Sequence, residues 1–172
     1  MNTVRTRAGL GPLAIALGIY AVIVAYVMPR DAVMGKLLIA VMLIGHGFVH
    51  TLFGMPAAEQ AAAEESDPAW PFDLSRSWLV PAAHWVTIVR AVGIALAAFV
   101  VAGFLLAGLG TVGFVLPAEW WAPVVVGASL ASIALLAVAF SPALSIGFAI
   151  DAVLIWLVVA MAWTPDSGPI SR

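Results

Sequence analysis

The sequence predicts an all-α fold: an integral membrane helical bundle with five transmembrane helices, a four-helix core with one N-terminal helix in front of it. Three observations carry this. Of the 172 residues, 64% are hydrophobic and 9% charged, whereas a soluble domain is about 45–50% apolar and about 25% charged. The mean hydropathy is +1.12, and a water-soluble fold of this length could not hide so much apolar surface. The apolar residues also fall in blocks of roughly 20, the length that crosses hydrocarbon as a helix. Each block reads as helix because lipid leaves the backbone of an open strand edge unsatisfied.

The first span runs from Gly11 to Met28. Arg5 and Arg7 precede it as they would precede a signal peptide, but Met28-Pro29-Arg30-Asp31 offers no small-residue cleavage site, so it reads as a membrane anchor. The second span, Leu37 to Met55, carries His46 and His50. The one long connection follows, residues 56–84, holding Glu59, Glu64, Glu65, Asp67, Asp73 and Arg76. Its first half, Ala57 to Glu65, consists of good helix formers. Its second half, Trp70-Pro71-Phe72 through Trp78, mixes aromatic and polar residues as interfacial segments do, and is expected to lie against the membrane surface. The acidic run reads as a solvated face.

The third span is Trp85 to Leu109, the fourth Trp121 to Phe140 and the fifth Ala143 to Trp163. Ser141-Pro142 joins the last two, with serine placed to cap and proline at the first helical position, so these helices are antiparallel neighbours. The fourth span has small residues one turn apart, Gly127 with Ala131 and Ala128 with Ser132. These allow close helix approach in lipid and are read as packing, without chemistry.

A net charge of -2 gives no basic field of the kind that gathers phosphates, which excludes nucleic acid as a partner. The absence of cysteine removes disulfides, thiolate metal sites, iron-sulfur clusters and thiol nucleophiles. Any redox role needs a bound cofactor. Orientation is nearly balanced: Arg5, Arg7 and Arg76 fall on one side and Arg30, Lys36 and Arg172 on the other. The N-terminal pair, together with Arg90, favours a cytoplasmic N terminus.

Ionisable groups inside spans are costly and mark function or buried pairing. His46 and His50 are four residues apart on one helix face, Arg90 follows His84 near the start of the third span, and Asp151 lies in the first half of the fifth. Connectivity brings all five to the leaflet next to the long loop, whichever way the protein is oriented. At about 1.5 Å per residue, His50 and Arg90 lie roughly 8 Å from that boundary, Asp151 roughly 12 Å and His46 roughly 14 Å. An ion pair between Arg90 and Asp151 is expected, with the histidines beside it and the aromatic loop above.

Several roles fit these residues. A buried Arg–Asp pair can be a structural bridge, and either histidine can simply bond a carbonyl. As a cofactor site, the i, i+4 histidines lack the glutamate and third ligand of a zinc helix, so no metal site is expected. They cannot both ligate haem axially from one helix face, although one of them with His84 could. For a quinone, histidine and arginine could bond carbonyl oxygens beneath a Trp-rich lid, with His46, His50, His84, Arg90 and Asp151 as the candidate cofactor-binding residues. Proton movement or transport by an oligomer is a further reading, without an inverted repeat or broken helices to support it. A non-catalytic subunit packed against partner helices, or against copies of itself, is another.

The run Gly45-His46-Gly47-Phe48-Val49-His50-Thr51-Leu52-Phe53-Gly54 resembles the His-Gly and Phe-Gly pattern that closes the first core helix of DoxX-like membrane proteins. That family has a four-helix core, which would correspond to the second to fifth spans. Its usual lysine between the glycine motifs is missing here, and His50 stands nearby with the spacing shifted by one. The resemblance implies association with a respiratory or thiol-redox membrane complex. Ser145-Ile146-Gly147-Phe148-Ala149-Ile150-Asp151 is similar to the last hairpin of small bacterial membrane proteins that carry asparagine where Asp151 stands, and implies no activity. The expectation is a multi-pass protein of a prokaryotic plasma membrane, with the lipid bilayer as its solvent and an accessory or assembly role favoured. Enzyme status is left open.

Overall fold

The computed structural model describes residues 32–55, 59, 65, 71–78 and 85–166. Among them every regular element is helical. The main helices are α1 (Ala32–Val49), α2 (Val86–Thr111), α3 (Ala118–Val138) and α4 (Ser145–Val159). Short 3-10 turns extend α1 (His50–Gly54) and lead into α4 (Pro142–Leu144). With those turns included, four stretches are long and apolar enough to cross a membrane: Val33–Gly54, Val86–Thr111, Ala118–Val138 and Pro142–Val159. They match the second to fifth spans, and theirs is the architecture of a multi-pass membrane protein. The first span, Gly11 to Met28, lies outside the described residues, as does His84.

The helices pack in sequence order, α1 on α2, α2 on α3 and α3 on α4. In lipid no hydrophobic force draws one apolar helix to another, so association depends on close van der Waals fit. Glycine supplies that fit at each crossing. A Cβ on Gly47 of α1 would meet the Phe104 Cβ of α2 at 2.7 Å, and one on Gly108 of α2 would meet Ile44 Cγ1 at 2.6 Å. A Cβ on Gly103 of α2 would meet the Ala128 Cβ of α3 at 2.8 Å, and one on Gly147 of α4 would meet Leu136 Cδ1 of α3 at 2.8 Å. Of the two small-residue pairs expected in the fourth span, Ala128 and Ser132 are both buried and Ala131 packs against the core. A Cβ at Gly127 would meet nothing within 4 Å, so its expected packing role is corrected.

Local chemistry ends each helix where the sequence allows. After α2, Phe114 N–H donates to Leu109 O at 2.9 Å and Gly113 N–H to Gly110 O at 2.9 Å, with Gly113 at φ 78°. This is a Schellman stop, and the left-handed residue is the one that carries no Cβ. Before α4, the Ser141 side chain accepts from Ala143 N–H and Pro142 takes the first turn, as its sequence predicts. The last carbonyls of α3 have no intrahelical donor, and the long loop supplies two: Ser77 Oγ donates to Val138 O, and Trp78 Nε1 donates to Ala137 O at 2.7 Å. Leu74 of the same segment is 2% exposed and fills the notch above Gly93 of α2. Residues 74–78 of the loop thus pack against α2 and the end of α3.

Two apolar layers fill the interior. One, toward the side away from the long loop, contains Leu43, Val100, Phe104, Trp121, Val125 and Leu154. The other, under the loop, contains Phe53, Leu74, Ala97, Leu135, Leu136 and Leu144. At the far end, Lys36 at the start of α1 bonds Asp166 beyond α4 at 2.8 Å.

Candidate functional site

Between the two apolar layers lies one polar layer, and it draws on three of the four helices. His46 comes from the last turn of α1 and His50 from the 3-10 turn that follows it, so the i, i+4 spacing puts both rings on one face. Their centroids are 5.1 Å apart at an interplanar angle of 83°. Ser132 comes from the buried face of α3, and Asp151 from the middle of α4. Asp151 and Ser132 are 0% exposed and His50 2%.

The four side chains form one continuous chain of hydrogen bonds. His46 Nε2 lies 3.0 Å from Asp151 Oδ1. Ser132 Oγ lies 2.6 Å from Asp151 Oδ2, a length typical of a hydroxyl on a charged acceptor. His50 Nε2 lies 2.8 Å from the same Ser132 Oγ. His50 Nδ1 then donates to the His46 carbonyl at 3.0 Å, which closes the chain back onto α1. Aromatic rings flank the layer on both sides. Phe104 meets the His46 ring edge-on at 4.9 Å, while Phe53 lies 6.2 Å from His50 and is itself covered by Phe72 of the loop at 5.1 Å.

His46, His50 and Asp151 therefore converge as their positions implied, but the expected Arg90–Asp151 pair does not form. Both Asp151 oxygens are taken, by His46 and Ser132. Arg90 reaches instead to the Met55 carbonyl at 3.3 Å, at the end of the 3-10 turn. The reason is depth: Arg90 sits half a turn to a turn nearer the boundary, where a carbonyl that ends a helix is free to accept. His84 lies outside the described residues.

Ser132 is the member that sequence reasoning missed. Its signal was present, since Ser129 and Ser132 are three residues apart and so share one helix face. Ser129 is also 0% exposed, yet among the described residues its Oγ has no hydrogen-bond partner.

Chemically, this layer joins helices and shares hydrogens. A haem ligand or a quinone partner needs an imidazole nitrogen that is available to it. Both nitrogens of His50 and Nε2 of His46 are engaged within the layer. Among the described residues no group of three or more His, Cys, Asp or Glu is arranged to hold a metal ion. A shallow apolar groove lies elsewhere, lined by Trp78, Ala137, Phe140 and Phe148.

Fold and site together define a membrane-type helical bundle with a buried His–Asp–Ser–His layer. In comparisons with known proteins, no family model, curated protein or solved structure gives a significant match.

Proposed function

We propose that this chain is a non-enzymatic accessory or assembly subunit of a membrane complex, crossing a prokaryotic plasma membrane five times with Gly11 to Met28 as the additional span. One contrast carries the reading: the polar groups inside the bundle are turned on one another, while the outside is apolar. Phe48, Phe99, Val92, Leu130 and Val153, spread over all four helices, are each more than half exposed. Such faces suit lipid or the helices of another subunit. The likeness of the Gly45 to Gly54 run to DoxX-like proteins points to a respiratory or thiol-redox complex as the partner.

The test is purification from native membranes in a mild detergent, with the native mass compared with the 17.9 kDa of one chain. A second polypeptide in fixed stoichiometry is expected. A monodisperse single chain, or an oligomer of this chain alone, overturns the accessory reading.

A further inference from the structure

The buried layer permits an exact count of hydrogens. Three contacts run in series: His46 O to His50 Nδ1, His50 Nε2 to Ser132 Oγ, and Ser132 Oγ to Asp151 Oδ2. Each needs one hydrogen between two electronegative atoms. A neutral His50 brings one and Ser132 brings one, so two hydrogens must serve three contacts. With Asp151 ionised and His50 neutral, one contact is left with lone pair against lone pair. If His50 carries its hydrogen on Nδ1, the bare contact is Ser132 to Asp151 or Ser132 to His50. If it carries it on Nε2, the bare contact is the one to the His46 carbonyl. An unmade bond between buried groups is expensive in an apolar interior.

We infer that the layer is a proton-binding site: it holds one proton beyond the neutral-histidine count, shared between His50 and Asp151 through the Ser132 hydroxyl. The proton has two homes. In one, His50 carries hydrogen on both nitrogens and donates to Ser132, whose hydroxyl donates to ionised Asp151. In the other, Asp151 carries the proton on Oδ2 and donates to Ser132, whose hydroxyl now donates to His50 Nε2, leaving His50 neutral with its hydrogen on Nδ1. Passage between them moves one proton from His50 Nε2 to Ser132 Oγ and one from Ser132 Oγ to Asp151 Oδ2. No atom shifts by more than a hydrogen, and the net charge of the layer is zero in both.

Charge gives a second, independent reason. With His46 neutral as well as His50, the layer without the extra proton would hold one uncompensated negative charge in a low-dielectric interior, which is costly. Among the described residues no other charged group faces it. α1 contributes His46, whose Nε2–H donates to Asp151 Oδ1; α2 contributes the Phe104 ring; α3 contributes Ser132; and the loop contributes Phe72 by way of Phe53. Arg90 is directed to the Met55 carbonyl. The apolar layers on either side make this a site that stores a proton rather than one that conducts it.

The inference does not depend on the accessory role, and its test uses the full chain alone in lipid nanodiscs. Nitrogen NMR of 15N-histidine reads how many hydrogens His50 carries. Infrared spectroscopy reads the carboxylic-acid band of Asp151. At neutral pH the fraction of doubly protonated His50 and the fraction of protonated Asp151 should sum to one, however they divide. Neutral His50 together with fully ionised Asp151 overturns the proposal. Asp151→Asn supplies a second arm, because its amide donates where the protonated acid would and satisfies all three contacts without an added proton. In that variant the carboxylic-acid band should vanish and His50 should become uniformly neutral with its hydrogen on Nδ1. A doubly protonated His50 in Asp151→Asn would equally refute the shared proton.

Discussion

His46 Nε2 lies 3.0 Å from Asp151 Oδ1 although 105 residues separate them in the chain. This contact joins the first and last described helices at the level of the polar layer. Removing the carboxylate leaves His46, Ser132 and, through it, His50 without their acceptor. Asp151→Ala should therefore cost about 3–5 kcal/mol, the penalty for breaking a buried pair by deleting one partner. Unfolding of the detergent-solubilised protein, followed by tryptophan fluorescence, measures it.

Arg90 and Asp151 have separate partners, so their substitutions should act independently. Arg90→Gln and Asp151→Ala, made singly and together, are expected to add within about 0.5 kcal/mol. A larger coupling energy would restore the ion pair that the geometry has dissolved.

The two serines of α3 should respond oppositely. Ser132→Ala removes a hydroxyl that bridges His50 and Asp151 and should destabilise by about 1–3 kcal/mol. Ser129→Ala removes a buried hydroxyl that has no partner among the described residues and should be neutral or stabilising by up to about 1 kcal/mol. Equal losses at both positions would contradict the bonding described for this layer.

Glycines also divide. Gly47→Ala places a methyl 2.7 Å from the Phe104 Cβ, which cannot swing away as a side-chain tip could, and should cost about 1–3 kcal/mol. Gly127→Ala meets open space and should be tolerated, with a small gain from helix propensity of up to about 1 kcal/mol. Thermal unfolding of both variants in the same detergent provides the comparison.

The four described helices, and the start of the last of them, were legible because hydropathy blocks and cap chemistry are local. Ser141-Pro142 announces a helix start from two residues alone. The ionisable members of the polar layer were legible too, since a histidine or aspartate inside an apolar run stands out. Its pairing was not. Charge complementarity suggested Arg90 for Asp151, whereas the depths estimated from the sequence, roughly 14 Å for His46 and roughly 12 Å for Asp151, already matched better than the roughly 8 Å of Arg90. Ser132 escaped because a small hydroxyl in an alanine-rich face is read as packing. Only the fold shows that this face turns toward His50. Gly127 was misjudged for the related reason that adjacent residues on a helix face different neighbours, and the sequence does not say which of two small-residue rows is turned inward.

The glycine notches have a mechanical consequence. Gly47 receives Phe104 and Gly108 receives Ile44, so the α1–α2 crossing is keyed in both directions. Sliding α1 along α2 by one turn, about 5.4 Å, would drive each side chain out of its notch. The same slide would pull His46 away from Asp151 on α4. The hydrogen-bonded layer therefore works as a gauge of helix registry: any motion that leaves it intact must carry α1, α3 and α4 together, and α2 follows through the notches that key it to α1.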